Sequence, residues 1–243
     1  MGPVDLEDLA VGYRQRPTTQ AAAARAARAG DAARLGPGDL ALDLGGGRGR
    51  HATVWAQRGA RAVVVDAARG MVRVAATQPG VDAICASTQA LPLRDDSTRL
   101  AYFHLSLHYG DWRMSLNEVI RVLASGGECW IWTMGEAHHR ASFLARWFPS
   151  VGDIDAERFP EPGIVAEFLA ARAESVTTGT EVEQRTMSAG RWRDAAAARF
   201  VSTLQLISPA ELSRGLAEFD AAYPDPSHPI DYVLTFDWIQ ASV

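Results

Sequence analysis

Between Leu40 and Met134 the chain alternates short apolar runs with stretches whose apolar residues recur every three or four positions. The runs Leu40–Leu44, Ala62–Asp66, Val81–Ala86, Leu100–Leu105 and Glu128–Met134 predict strands. The unbroken AVVV of the second is rich in β-branched residues and predicts burial on both faces. Helical spacing predicts helices over Arg50–Arg58, stopped by Gly59, and over Gly70–Gln78, closed by Pro79-Gly80. Leu116, Val119, Ile120 and Leu123 mark a third, amphipathic helix, after which Ser125-Gly126-Gly127 turns the chain into the next strand. The Ala/Arg-rich segment Ala21–Arg34 predicts a helix ahead of the first strand. Such alternation implies a parallel sheet covered by helices on both faces.

After Met134 the rhythm changes. Gly135–Pro162 has no clear period. Ile164–Arg172 then reads as a helix, Glu174–Val182 as a strand, and Ser188–Ile207 and Ala210–Phe219 as helices. Ser208-Pro209-Ala210-Glu211 is a capping box with proline at the first helical position. Tyr232–Ile239 is a last strand. Two helices set between the last two strands predict a lid, and lids of this sort commonly choose the substrate. The division expected is an N-terminal helical arm (1–36), a core (37–182), a helical lid (183–229) and the core's last strand (230–243).

Composition narrows this picture. A chain of 243 residues with 47% hydrophobic residues has enough apolar material for one large α/β domain. Its net charge of −5 argues against duplex nucleic acid as the main partner, since phosphate binding relies on basic surface. Cys85 and Cys129 lie in apolar runs, as reduced core thiols would. No run approaches the ~20 apolar residues that span a bilayer. The N-terminus lacks a basic stretch followed by an apolar one, and Asp5, Glu7 and Asp8 count against a transit peptide. A cytoplasmic protein with no membrane partner is expected.

The candidate chemistry begins at ALDLGGGRGRHA, Ala41 to Ala52. An apolar strand ends in Asp43, glycines follow at 45, 46, 47 and 49, and a helical pattern starts at once. Glycine lets a ligand approach the main chain directly, and the first N–H groups of the helix lack intrahelical partners. Asp66, ending the second strand about 20 residues on, suits a pair of ribose hydroxyls. Gly47-Arg48-Gly49-Arg50-His51-Ala52 also satisfies the dinucleotide pattern, so this region alone leaves NAD and other ribose-bearing ligands open.

Four blocks taken in order are more specific. ALDLGGGRG (41–49), VVVDAARGMVRVA (63–75), ASTQALPLRDDSTRLAYFHLSLHY (86–109) and DWRMSLNEVIRVLASGGECWIW (111–132) resemble the class I S-adenosylmethionine-dependent methyltransferases. The resemblance is to the small-molecule branch that includes ubiquinone and menaquinone biosynthesis, and it covers Leu40–Met134. It implies a Rossmann-like, seven-stranded, mostly parallel sheet with an antiparallel last strand. It also implies S-adenosyl-L-methionine as cofactor, with S-adenosyl-L-homocysteine as product. Asp43 would hold the cofactor's ammonium, directly or through water, and Gly45, Gly46, Gly47 and Gly49 would pack against ribose and methionine. Asp66, with Ala67 beside it, would take the ribose hydroxyls, and Met71 would pack on the adenine. Ser87, Thr88 and Gln89 would meet the adenine edge, and the carbonyl of Leu105 would face the ammonium. Tyr13 and Arg16, in GYRQRP, resemble a segment that folds over the methionine end.

Two departures stand out. Ser87 stands where the family usually has aspartate, so the adenine amino group loses a charge-assisted partner. Gly46 replaces a common cysteine, a change expected to be harmless. Arg48 is either a partner for the cofactor carboxylate or a solvated loop residue.

Methyl transfer is an in-line displacement in which the protein supplies position, exclusion of water and sometimes a base. His108, just past the fourth strand, is the candidate base, while His104 reads as a core histidine. The adjacent His138 and His139 lack acidic or Cys partners at useful spacing, so no metal is expected. Trp147 and Trp192 could line an aromatic pocket but more often serve packing. No Asn/Asp-Pro-Pro-aromatic block follows the fourth strand, where His104-Leu105-Ser106-Leu107 stands. Nor is an acidic metal-binding pair of the catechol-methylating type apparent. A small-molecule oxygen or carbon acceptor is therefore favoured over nitrogen, in a monomer or homodimer. The alternatives are a protein that binds the same cofactor without methyl transfer and an NAD-dependent oxidoreductase.

Overall fold

The computed structural model describes residues 20–243. Helix α1 (Gln20–Ala32) leads into strand β1 (Leu40–Leu44), followed by α2 (Arg50–Ala56), β2 (Arg61–Asp66), α3 (Arg69–Ala75) and β3 (Val81–Cys85). Strand β4 (Thr98–His104), α4 (Trp112–Val122) and β5 (Leu123–Thr133) complete the alternating part. Then come three short helices, α5 (Glu136–Ala141), α6 (Phe143–Trp147) and α7 (Ser150–Arg158), where no period was legible, and α8 (Pro162–Ala170). Strand β6 (Ser175–Ser188), α9 (Ala189–Ala197), a 3-10 turn (Ser202–Gln205), α10 (Pro209–Ala222) and β7 (Pro229–Ser242) close the chain.

The seven strands lie in the order β3-β2-β1-β4-β5-β7-β6. β1 is parallel to β2 and β4, β2 to β3, and β4 to β5, while β7 runs antiparallel to β5 from Glu128↔Ser242 to Thr133↔Asp237. The expected seven-stranded sheet with an antiparallel last strand is what the chain forms. The order reverses between β1 and β4, and ligands of open α/β sheets bind beyond the strand ends at such a point.

The chain separates into two compact units, each with its own core. The sheet unit holds residues 20–133, 160–180 and 237–243. On one face, Leu42, Leu44, Val63, Val65, Phe103 and Ile131 pack against Leu116, Val119 and Val122 of α4 and Val165 and Leu169 of α8. On the other face, Trp55 of α2 is fully buried, donates from Nε1 to the carbonyl of Ala26 (2.7 Å) and meets Tyr102 edge-on. There α1 sets Arg25 over Trp132 (5.1 Å) and Arg28 over Trp238 (4.4 Å), cation–π contacts across aliphatic stems.

The second unit holds Met134–Phe159 and Glu181–Phe236. Its core is aromatic: Trp192 stacks on Phe219 (4.3 Å) and Trp147 meets Phe219 edge-on (5.2 Å). Both tryptophans are buried here as packing residues. His139 is buried, its Nε2 2.9 Å from the carbonyl of Met134 and its Nδ1 3.9 Å from Asp155. His138 Nδ1 accepts from the N–H of Thr235 (3.1 Å). Of the capping box, Ser208 Oγ accepts from Glu211 N (3.1 Å), but the Glu211 carboxylate takes the N–H (2.9 Å) and hydroxyl (2.6 Å) of Ser150 instead.

Candidate active site

The glycine loop connects β1 to α2 in three left-handed steps, Gly45 (φ 64°), Gly47 (φ 55°) and Gly49 (φ 76°). Sterics enforce Gly45 as well: a Cβ there would lie 2.5 Å from Cβ of Ser106. Ser106 is held there because its hydroxyl donates to the carbonyl of Leu44 (2.6 Å). The ends of β1 and β4 are thus bolted together at the switch point.

Asp66, the last residue of β2, turns its carboxylate to the loop. Oδ2 accepts from Gly47 N (2.9 Å) and Oδ1 from Ala68 N (2.8 Å). Met71 of α3 is buried, with its sulfur 3.8 Å from where a Cβ of Gly47 would be. Ala67 is exposed, and its carbonyl receives a weak bond from the exposed Cys85 thiol (3.6 Å).

Asp43 is fully buried. Its Oδ2 accepts from Ala52 N at 3.4 Å and lies 3.6 Å from His51 Nδ1. Its Oδ1 has no hydrogen-bond partner among the described residues. A Cβ on Gly46 would sit 2.3 Å from Cγ of Asp43. Glycine at this position leaves that space to the Asp43 carboxylate.

Leu105 follows β4 in the left-handed region (φ 55°), which is uncommon for a non-glycine residue and concentrates at functional sites. Its N–H donates to the carbonyl of Trp132 (2.8 Å). His104 is half-buried at the strand's end, its ring 4.6 Å from that of His51, rather than deep in the core. His108 is half-buried on the following turn, 4.1 Å from the ring of Tyr109.

Beyond β3, Ser87 Oγ accepts from Gln89 N (3.2 Å) and is exposed. Thr88 bonds Ser115 of α4 (2.8 Å), and Gln89 Oε1 accepts from Asp111 N (3.3 Å). These two side chains brace the start of α4, which Asp111 caps through Arg113 N and Met114 N. Arg121 of α4 then draws the same segment in, bonding Glu118 (2.7 Å), Asp95 (2.6 Å) and the carbonyls of Leu91 and Leu93. The third and fourth sequence blocks form one hydrogen-bonded piece. Tyr13 and Arg16 lie outside the described residues.

The sequence profile described as a methyltransferase domain matches residues 42–131, from within β1 to near the end of β5. Over these residues the chain is similar to a methyltransferase domain. The demethylmenaquinone methyltransferase of Corynebacterium urealyticum is 35% identical over 99 residues, 39% of this chain and 41% of that protein. The likeness thus spans about two-fifths of that relative's length. Among solved structures, a protein from Anabaena variabilis assigned as a methyltransferase of an antibiotic biosynthesis pathway superposes with a TM-score of 0.68 at 18% identity. That match covers 90% of this chain and 97% of the other. The geranyl diphosphate C-methyltransferase of Streptomyces coelicolor, solved with S-adenosyl-L-homocysteine, gives 0.54 at 17% identity over 100% and 89%. A 4+2 cyclase gives 0.56 at 20% identity over 92% and 82%. At these identities the methyltransferase fold is what the structures share.

The sequence pointed to Asp43, Asp66 and the glycines, and the fold brings them together around one loop. It did not single out His51 or the Ser106 anchor. The signal for His51 was its place in the first turn of the helix that follows the loop, on the side that faces β1.

Proposed function

We propose that this protein is an S-adenosyl-L-methionine-dependent methyltransferase acting on an oxygen or carbon of a small-molecule metabolite. One observation carries the reading. Two carboxylates, Asp43 and Asp66, lie near the C-terminal ends of adjacent parallel strands at a loop of left-handed glycines, and Asp43 keeps one buried oxygen without a partner among the described residues. A buried carboxylate oxygen left unmet is costly, and an ammonium group is the partner that suits it. Asp66 brings a carboxylate to the loop for the ribose hydroxyls, and Gly47, which has no side chain, lies beside the sulfur of Met71.

The residues present fit the cofactor, which when bound supplies an activated methyl group. Asp66, Asp43 and the loop backbone orient it, Ala67 and Met71 flank its base, and Ser87 to Gln89 form the wall beyond β3. His108 accepts the proton when the acceptor is a hydroxyl, and its replacement by Ala then lowers kcat by about 10²–10⁴-fold. The names of the demethylmenaquinone and geranyl diphosphate methyltransferases support a metabolite-sized acceptor. The antiparallel β7 supports this cofactor over NAD, since the dinucleotide fold has its sixth strand parallel.

Calorimetry with S-adenosyl-L-homocysteine and with NAD tests the reading. Micromolar binding of the first and none of the second is expected, with loss of binding in Asp66→Ala; binding of NAD alone overturns it. A second reading, cofactor binding without methyl transfer, is favoured by the cyclase of the same fold and by Ser87. Gain of one methyl group by a small-molecule acceptor, read by mass spectrometry, separates the two.

A further inference from the structure

His51, the neighbour of Asp43, has no part in the roles assigned so far. Asp43 is folded beneath Gly46, in space that any larger residue there would claim, and so reaches toward His51 (3.6 Å). His51 is 15% exposed at its side chain and faces β1 and β4. The titratable groups against it are Asp43 of β1 and Tyr102 and His104 of β4, with ring distances of 5.2 and 4.6 Å for the last two. On α1, Arg25 lies over Trp132, the β5 register partner of His104. Arg48 and Arg50 flank the pair along the chain.

A buried carboxylate is held ionised by a cation or by donors. Here two cations can serve Asp43: a protonated His51 on its Oδ2 side, and an ammonium at the buried Oδ1, which has no partner among the described residues. Two positive charges on one carboxylate repel each other, so each weakens the other's hold. We propose that His51 is a cofactor-site residue that exchanges its proton for the cofactor's ammonium at Asp43. Cofactor binding releases that proton to solvent, and protonation of His51 in turn weakens binding by the same factor. No other bond changes. The inference rests on the cofactor reading above and adds the proton linkage.

Calorimetry of the full chain with S-adenosyl-L-homocysteine, in buffers of different ionisation heat between about pH 5.5 and 8.5, counts the protons released, in the range where an imidazole changes charge. The wild-type protein is expected to release up to one proton per ligand on the acid side. Its affinity falls there by up to about tenfold per pH unit. His51→Asn is expected to bind as the wild type does at the alkaline end, without proton release and without the acid-side loss. His104→Asn is expected to keep both. Ligand binding by the wild-type protein with no proton release overturns the proposal, a result that needs no variant to fold. Transfer of the effect to His104→Asn overturns the assignment to His51. Absence of ligand binding at every pH overturns the cofactor reading instead.

Discussion

Gly45 shows how one position serves both the fold and the site. Its φ of 64° and the 2.5 Å approach a Cβ would make to Ser106 leave no room for a side chain. Gly45→Ala is expected to cost roughly 2 kcal/mol or more, from left-handed backbone and overpacking together, measured by urea denaturation. On the proposed cofactor reading it is also expected to weaken S-adenosyl-L-homocysteine binding, measured by calorimetry. The thiols report on the same site. Burial pushes the Cys129 thiol up to about 12, whereas Cys85 is exposed and pairs in register with Asp66. One cysteine should react with a thiol reagent in the native protein and two in denaturant, with the cofactor product slowing the native reaction at Cys85. If the ligand leaves that rate unchanged, its placement along Asp66 and Ala67 is wrong. At this scale the sequence was a good guide wherever a residue type answers a backbone demand. It did not show what Gly46 admits, because that is a side chain three positions earlier.

Among elements, α4 and the segment before β4 stand or fall together. Arg121 bonds two carboxylates and two carbonyls, and the Glu118 carboxyl is held below its ordinary range chiefly by that guanidinium. Arg121→Ala is expected to destabilise the protein by roughly 1–3 kcal/mol, as the loss of charge-assisted bonds to partly buried groups does. Arg121→Lys should recover little, since a point charge cannot span the same acceptors. Thermal denaturation of both variants checks this. The strands and long helices here were legible from period and turn chemistry. The three helices between Glu136 and Arg158 were not, because short helices whose rings serve an aromatic cluster carry no repeating stripe. β6 runs six residues past the Val182 expected as its end, to Ser188, with alternating half-exposed positions that weaken the apolar signal.

For the whole molecule, each unit keeps a buried carboxyl with a raised pKa. Burial drives Glu128 in the sheet unit, although Gln240 donates to it (3.0 Å). Burial likewise drives Asp155 in the second unit against the Thr203 hydroxyl and Arg158. A folded-state pKa above the unfolded value means that the folded state holds the proton more tightly. That stability is present below the ordinary carboxylate range and is lost as pH rises through the raised values. Urea midpoints should therefore decline from mildly acidic toward neutral pH, and Glu128→Gln with Asp155→Asn should flatten the decline. A midpoint that rises over this window in the wild-type protein, with no change in the double variant, contradicts the assignment. No helix among the described residues is long and apolar enough to cross a membrane.

What the sequence determined by itself was the sheet and its ligand loop. Apolar runs, left-handed glycines and acids at strand ends are imposed by stereochemistry and burial over a few neighbouring residues, so their pattern can be read directly. Tertiary structure decided which distant groups share a charge or a core. It turned Asp43 under Gly46 toward His51, brought His104 against that imidazole, and placed Trp147 and Trp192 in a second core. Those choices depend on how helices settle on the sheet and on each other, where packing and the cost of unpaired buried charge select one arrangement that no local pattern encodes.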